Sequence, residues 1–127
     1  MTEIIERGMD LSHINAELGR NAQGLVDWAV GLNKTAIVTT NFRPFEAVIL
    51  HMVTRANPRV PVVWMDNGYN TEATYRFADE VTKQLKLDLH IYLPRRSRAH
   101  REAVEGTTPA LDDPRHAAFT EEVKLEP

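Results

Sequence analysis

Asp66-Asn67-Gly68-Tyr69 follows directly on the apolar run Pro61-Val-Val-Trp-Met65, and Thr71-Glu-Ala-Thr-Tyr-Arg-Phe77 comes almost at once after it. That order describes a strand turning into a helix. The corner between them gathers an acid, a flexible glycine and free backbone N–H groups at one point, and nucleotides are commonly held at corners of this kind. A second corner lies upstream, where Ile37-Val38-Thr39-Thr40-Asn41-Phe42 leads into Arg43 and Pro44. Threonine hydroxyls donate to phosphate oxygens, and an arginine adds a charged contact. Tyr69, next to Gly68, is the candidate for stacking on a base.

Each run also has a plainer reading. Asn67-Gly68 is a common turn signal. Thr39-Thr40-Asn41 suits an ordinary helix start, with Asn or Thr as the cap. The basic run Arg95, Arg96, Arg98, His100 and Arg101 reads as a solvated helix face or, for one or more of its arginines and Ser97, as a phosphate contact. His51 reads as a packed, hydrogen-bonded residue, and Trp28 and Trp64 as core. His13, His90, His100 and His116 lack metal-ligand spacing, so no metal site is expected.

The elements that must position the two corners alternate along the chain. Asp10 or Ser12 caps a first helical stretch, with Gly19 and Gly24 as interruptions and Gly31 or Asn33 as its stop. Leu25, Trp28, Ala29 and Leu32 recur at helical spacing. Residues 35–39 form a short buried strand. Pro44 opens a helix that carries Phe45, Val48, Ile49, Met52 and Val53 on one face and ends at Asn57-Pro58. Residues 60–65 form a second strand, apolar almost throughout, as when both faces are covered. A helix over 71–85 turns Phe77, Ala78, Val81 and Leu85 inward, and residues 87–92 form a third strand. A helix from Ser97 to about Val104, a loop over 106–114 and a partly helical stretch over 116–125 follow. The alternation predicts an α/β fold, a parallel sheet with helices on both faces and right-handed crossovers. A helical segment, 1–33, precedes the α/β part, 34–127.

Size and composition narrow the function. The 127 residues fit one domain. A net charge of −3 gives no sign of a nucleic-acid binder. No apolar run approaches about 20 residues, so no membrane span is expected. The N-terminus lacks the pattern of a signal peptide, which makes a cytoplasmic location the expectation. The sequence contains no cysteine. Disulfides, thiolate metal sites, Cys-ligated iron–sulfur clusters and a Cys nucleophile within this chain are thereby excluded.

Thr39-Thr40-Asn41-Phe42, Glu46-Ala-Val-Ile-Leu-His-Met-Val53, Met65-Asp-Asn-Gly-Tyr69, Thr74-Tyr-Arg-Phe77 and Leu85-Lys-Leu-Asp-Leu-His-Ile-Tyr92 together resemble the phosphoadenosine phosphosulfate (PAPS) reductase family. The resemblance runs from about Asn15 to the end of the sequence and implies the adenine nucleotide alpha-hydrolase-like fold, a three-layer, Rossmann-like α/β/α arrangement. The family's first corner is a Ser-rich turn ending in Phe-Gly. Here Arg43 stands in place of that Gly, where a Cβ restricts the backbone, and Pro44 follows. At the second corner Asp66, Gly68, Tyr69 and Thr74 match, while Asn67 replaces Thr. Lys124-Leu-Glu-Pro127 is similar to the family's Lys-Val-Glu-Pro. Phe119 and Thr120 stand where the cluster-bearing adenylyl-sulfate branch has a Cys pair, so the resemblance implies the branch without an iron–sulfur cluster.

What the resemblance implies is reduction of PAPS to sulfite and adenosine 3',5'-bisphosphate, with thioredoxin or glutaredoxin as electron donor. In that reading Thr39, Thr40, Asn41, Phe42 and Arg43 hold phosphate or sulfate. Asp66, Gly68 and Tyr69 shape the nucleoside pocket, and Lys124 reaches the sulfate end. The family's Arg-rich segment and Cys-bearing tail have no counterpart in these residues, so the expectation is a partial, nucleotide-binding half with no turnover alone. The family sheet places its fourth strand against its first, at the nucleotide crevice. Strand 35–39 is therefore expected at an unpaired edge, which invites a homo-oligomer or a complementing C-terminal segment. Two other readings stay open: a non-catalytic adenine-nucleotide-binding module, and an ATP-pyrophosphatase-like adenylating protein.

Overall fold

The computed structural model describes residues 10–32 and 34–127. The expected stop at Asn33 and the reading of the first residues as lacking a signal peptide lie outside them. Nine α-helical or strand segments follow in chain order among the described residues: α1 (Ser12–Leu18), α2 (Ala22–Val30), β1 (Val38–Thr39), α3 (Glu46–Ala56), β2 (Pro61–Met65), α4 (Glu72–Leu85), β3 (Asp88–Tyr92), α5 (Arg98–Glu105) and α6 (His116–Thr120). A π-helical turn, Glu121–Leu125, continues α6. The three strands make one parallel sheet in the order β1-β2-β3. β1 is an edge, as expected, and the α/β class is the one read from the alternation.

The core forms where β2 meets α3 and α4. Val62 and Trp64 point from β2 to one face and are buried against Phe42, Leu50 of α3, and Ala78 and Val81 of α4, with Val38, Phe77, Leu85, Leu87 and Leu89 around them. Burial of each large side chain here contributes roughly 1.5–3 kcal/mol. Trp64 stacks edge-on against Phe42, with ring centroids 4.9 Å apart. Trp64 is core, as read; Trp28 is only half-buried.

Several boundaries differ from the sequence reading. β1 spans two residues instead of five. Val38 pairs with Val62 and Thr39 with Val63, so Ile37 would face Pro61, which has no N–H to give. Pro44 sits in the turn before α3, whose N-cap position is Phe45. Gly24 does not interrupt α2; it lies inside that helix, where its N–H donates to the Asn21 side chain that caps the first turn. The apolar stripe read on α3 is split: Phe45 is 89% and Val48 61% exposed, and Ile49 is exposed too, whereas Val53 is buried together with Leu50, which lies outside that stripe. His51 is exposed, not packed. α4 matches its reading closely. Thr71 accepts from the Thr74 N–H as the N-cap, and Lys86 ends the helix in the left-handed conformation at φ 52°.

Candidate functional site

The C-terminal ends of β1 and β2 lie side by side. Thr40 donates its N–H to the Val63 carbonyl at 3.0 Å, which fixes the first corner against β2. The Asp66 N–H donates to the Tyr92 carbonyl at 3.0 Å, which fixes the second against β3. Both corners therefore open on one rim of the sheet.

In the first corner, Phe42 takes φ +54°, a left-handed conformation rare for an aromatic residue. Arg43, in the position where a glycine was expected from the resemblance, does not. Phe42 is tied down by burial and by its N–H, which donates to Thr40 Oγ1 at 2.9 Å. Around this twist three donors meet one carboxylate oxygen, Glu46 Oε2: the Asn41 N–H at 2.9 Å, the Arg43 N–H at 2.8 Å and the Thr40 hydroxyl at 3.1 Å. An acid in the first turn of a helix is also favoured by the helix dipole.

In the second corner, Asp66 is buried and its Oδ1 accepts three hydrogen bonds: from the Gly68 N–H at 2.9 Å, Asn70 Nδ2 at 3.0 Å and the Tyr75 hydroxyl at 2.8 Å. Gly68 adopts φ +82°, which a side chain would strain. The Tyr69 N–H donates to Asn67 Oδ1 at 2.8 Å. Burial, then the bond to Asp66, raises the Tyr75 phenol above its ordinary range.

The C-terminal stretch closes the third side. Arg96 donates to both Glu122 oxygens at 2.7 and 2.8 Å and to Glu105 at 2.8 Å. Arg101, nearly fully buried, donates to Glu122 at 2.7 Å and to Glu105 at 3.2 Å. The Arg96 bonds, and then the nearby Arg101 charge, hold the Glu122 carboxyl below its ordinary range against the opposing effect of burial. These arginines are internal clamps for the π-helical turn, neither a solvated face nor free phosphate ligands. Arg98 pairs with Glu102 at 2.8 Å, and its guanidinium lies 4.9 Å from the Tyr69 ring centroid. The Phe119 ring meets Tyr69 edge-on at 5.3 Å.

Between these three sides lies an open cleft of about 510 Å³, within the range of small-ligand sites. Asn41, Phe42 and Arg43 line it from the first corner, Lys124 and Leu125 from the π-helical turn. Pro44, Met65, Asn67, Asn70 and Thr74 complete the wall. Four residues expected at the site thus share one cleft: Asn41, Phe42, Arg43 and Lys124. Thr39 and Thr40 border a smaller hollow next to it, with Glu46 and Val63. Asp66 lies beneath as a scaffold, and Gly68 and Tyr69 do not line the cleft. Asn67, Asn70 and Thr74 line it without having been singled out as site residues, and Glu46 organises the first corner unread. The signal for Glu46 was an acid three residues after Arg43 at a helix start. Among the described residues no group of three His, Cys, Asp or Glu is placed to hold a metal ion, and no helix is long and apolar enough to cross a membrane.

Comparison with known proteins gives this geometry a context. The family described as phosphoadenosine phosphosulfate reductase domain matches residues 35–127. A phosphoadenosine 5'-phosphosulfate reductase of Synechococcus sp. is 40% identical over 98 residues, covering 76% of this chain and 42% of that protein. One from Escherichia coli is 39% identical over 104 residues, covering 80% of this chain and 43% of that protein. The chain therefore spans about two-fifths of the length of these relatives. The crystal structure of phosphoadenylyl-sulfate (PAPS) reductase from Candida auris, a phosphate complex, superimposes with a TM-score of 0.76 at 26% identity, covering 92% of this chain and 58% of that one.

Proposed function

Because the chain belongs to the phosphoadenosine phosphosulfate reductase family, we propose that it supplies the nucleotide-binding half of a PAPS reductase-type site and does not turn over alone. The observation that carries this reading is the convergence of Arg43 and Lys124 on one cleft at the rim where β1 and β2 end. Cations from two distant parts of the sequence then face the anionic end of an adenine nucleotide, PAPS or its product adenosine 3',5'-bisphosphate. Asn67, Asn70 and Thr74 offer amide and hydroxyl groups to its sugar and base. Asp66 shapes that wall by holding Gly68, Asn70 and Tyr75. The Candida auris relative was solved as a phosphate complex, which supports anion binding as the general reading for this fold.

The chemistry needs a group the sequence does not contain. A thiolate attacks the sulfur of PAPS, the S–O bond to the nucleotide breaks, and adenosine 3',5'-bisphosphate leaves with the electron pair. A thiol of thioredoxin or glutaredoxin then attacks the resulting thiosulfonate and releases sulfite, the electrons coming from the dithiol. With no cysteine in these 127 residues, the first nucleophile must come from another polypeptide segment. The reading is of a cytoplasmic protein that binds the substrate and awaits a thiol-bearing partner.

Calorimetric titration with PAPS, adenosine 3',5'-bisphosphate and ATP, paired with a sulfite assay using reduced thioredoxin, tests it. The expected result is heat with PAPS and the bisphosphate and no sulfite. Absence of heat with all three nucleotides removes the binding reading, and sulfite from this chain as the only protein removes the claim of no turnover. Pyrophosphate release from ATP would instead favour an adenylating protein.

A further inference from the structure

The first corner is already occupied by an anion, and that anion belongs to the chain. Glu46 Oε2 receives the Asn41 N–H, the Arg43 N–H and the Thr40 hydroxyl at 2.8 to 3.1 Å. The left-handed Phe42 between them is what lets two nearby amides converge on one point, the arrangement by which loops cradle phosphate. A carboxylate oxygen and a phosphate oxygen cannot share that point, since like charges in contact repel and the donors serve only one acceptor well. An incoming anion therefore meets the side chains of Arg43 and Lys124 across the cleft and not the amides of the corner.

We infer that Glu46 is a specificity-determining residue: its carboxylate closes the amide cradle of the first corner, so the cleft accepts one anionic group held by side chains and disfavours a polyphosphate that would run into the cradle. This rests on the reading of the cleft as an anion site. The exclusion is a case of selectivity by a repulsive element. Glu46 also anchors α3, because its first-turn carboxylate ties the corner to the helix.

The test compares the native chain with E46A and E46Q, using inorganic phosphate, ATP and adenosine 3',5'-bisphosphate. Glutamine keeps an oxygen acceptor for the corner without the charge, so it preserves the loop where alanine loosens it. Binding is read by calorimetry, and the Asn41 and Arg43 amides by their nitrogen–proton correlation signals. The expected result is that phosphate leaves these amide signals in place in the native chain. In E46A phosphate shifts them and binds about tenfold more tightly, ATP gains at least as much, and E46Q falls between. Native amide signals that already move with phosphate would overturn the inference, as would folded variants that bind phosphate no better than the native chain. The bisphosphate arm separates the two readings. A native chain that takes no bisphosphate, beside an E46Q variant that takes phosphate at Asn41 and Arg43, keeps the role of Glu46 and defeats the proposed function. A native chain that takes the bisphosphate, beside variants that gain nothing, does the reverse.

Discussion

Asp66 shows how one buried side chain can hold a wall of the cleft together. Its Oδ1 gathers the Gly68 amide, the Asn70 amide group and the Tyr75 hydroxyl. Removing one donor leaves a buried acceptor less satisfied. Tyr75→Phe is expected to cost about 1 kcal/mol, modest because Tyr75 is 36% exposed and water partly replaces it; urea unfolding of both proteins reads it. The phenol itself is raised above its ordinary value of 10.0 by burial and by Asp66. A raised folded value means that this bond contributes fully below pH 10 and is lost as pH climbs through the folded value. Ultraviolet titration should show Tyr75 ionising above the ordinary phenol value, with stability falling over the same interval, and a Tyr75 signal at the ordinary value would contradict this. The corner at Asp66 and Gly68 was legible as a turn, because Asn-Gly at the end of an apolar strand is a turn signal. Tyr69 was not. Its stacking partners, Arg98 and Phe119, come from segments that no local pattern joins to it. Glu46 was given no role, since only the backbone twist at Phe42 brings the Asn41 and Arg43 amides to it.

Among elements, the π-helical turn Glu121–Leu125 is what brings Lys124 to the cleft, and it is held by the Arg96–Glu122–Arg101 clamp. Glu122→Gln is expected to lower stability by about 1–3 kcal/mol and to weaken nucleotide binding by loosening Lys124. Because the Glu122 carboxyl is held below its ordinary 4.5, the clamp contributes fully above that value and is lost as pH falls through the folded one. Thermal midpoints from pH 7 down to 3 should fall less steeply in the variant; identical slopes would count against the clamp. α4 offers the opposite sign of change. Lys86 ends it at φ 52°, so Lys86→Gly should stabilise by about 0.5–1 kcal/mol, read as a higher urea midpoint. α4 itself was readable from Thr71 to Leu85 because cap, period and burial agree there. β1 was misjudged in length because pairing depends on Pro61 of its neighbour. The face of α3 was misjudged because its apolar residues outnumber what the described sheet covers, and periodicity reports a stripe without saying what lies against it. The π-helical register of 121–125 has no signature in the sequence.

For the molecule as described, the parallel order β1-β2-β3 leaves β1 with one partner. Ile37 and the α3 residues Val48 and Ile49, with Phe45 just before them, stay exposed. An unpaired edge with apolar neighbours favours association. Sedimentation should show mass rising with concentration, and Phe45→Ser with Val48→Ser should reduce it. A single monomeric boundary across a tenfold range of concentration would contradict the expectation. The parallel topology was legible because strand and helix patterns alternate; the side of the site built from 116–125 was not, since its approach to the corners depends on ion pairs formed across the fold. One cleft joins Arg43 to Lys124, and the proposed binding depends on both. Its most direct test is calorimetry with adenosine 3',5'-bisphosphate on the native chain, Arg43→Ala, Lys124→Ala and, as a control, Arg115→Ala beside a different hollow. The native chain and the control are expected to bind, and each of the other two to lose about tenfold or more, in line with charge-assisted contacts. Equal binding by all four proteins, or a loss confined to Arg115→Ala, would contradict it.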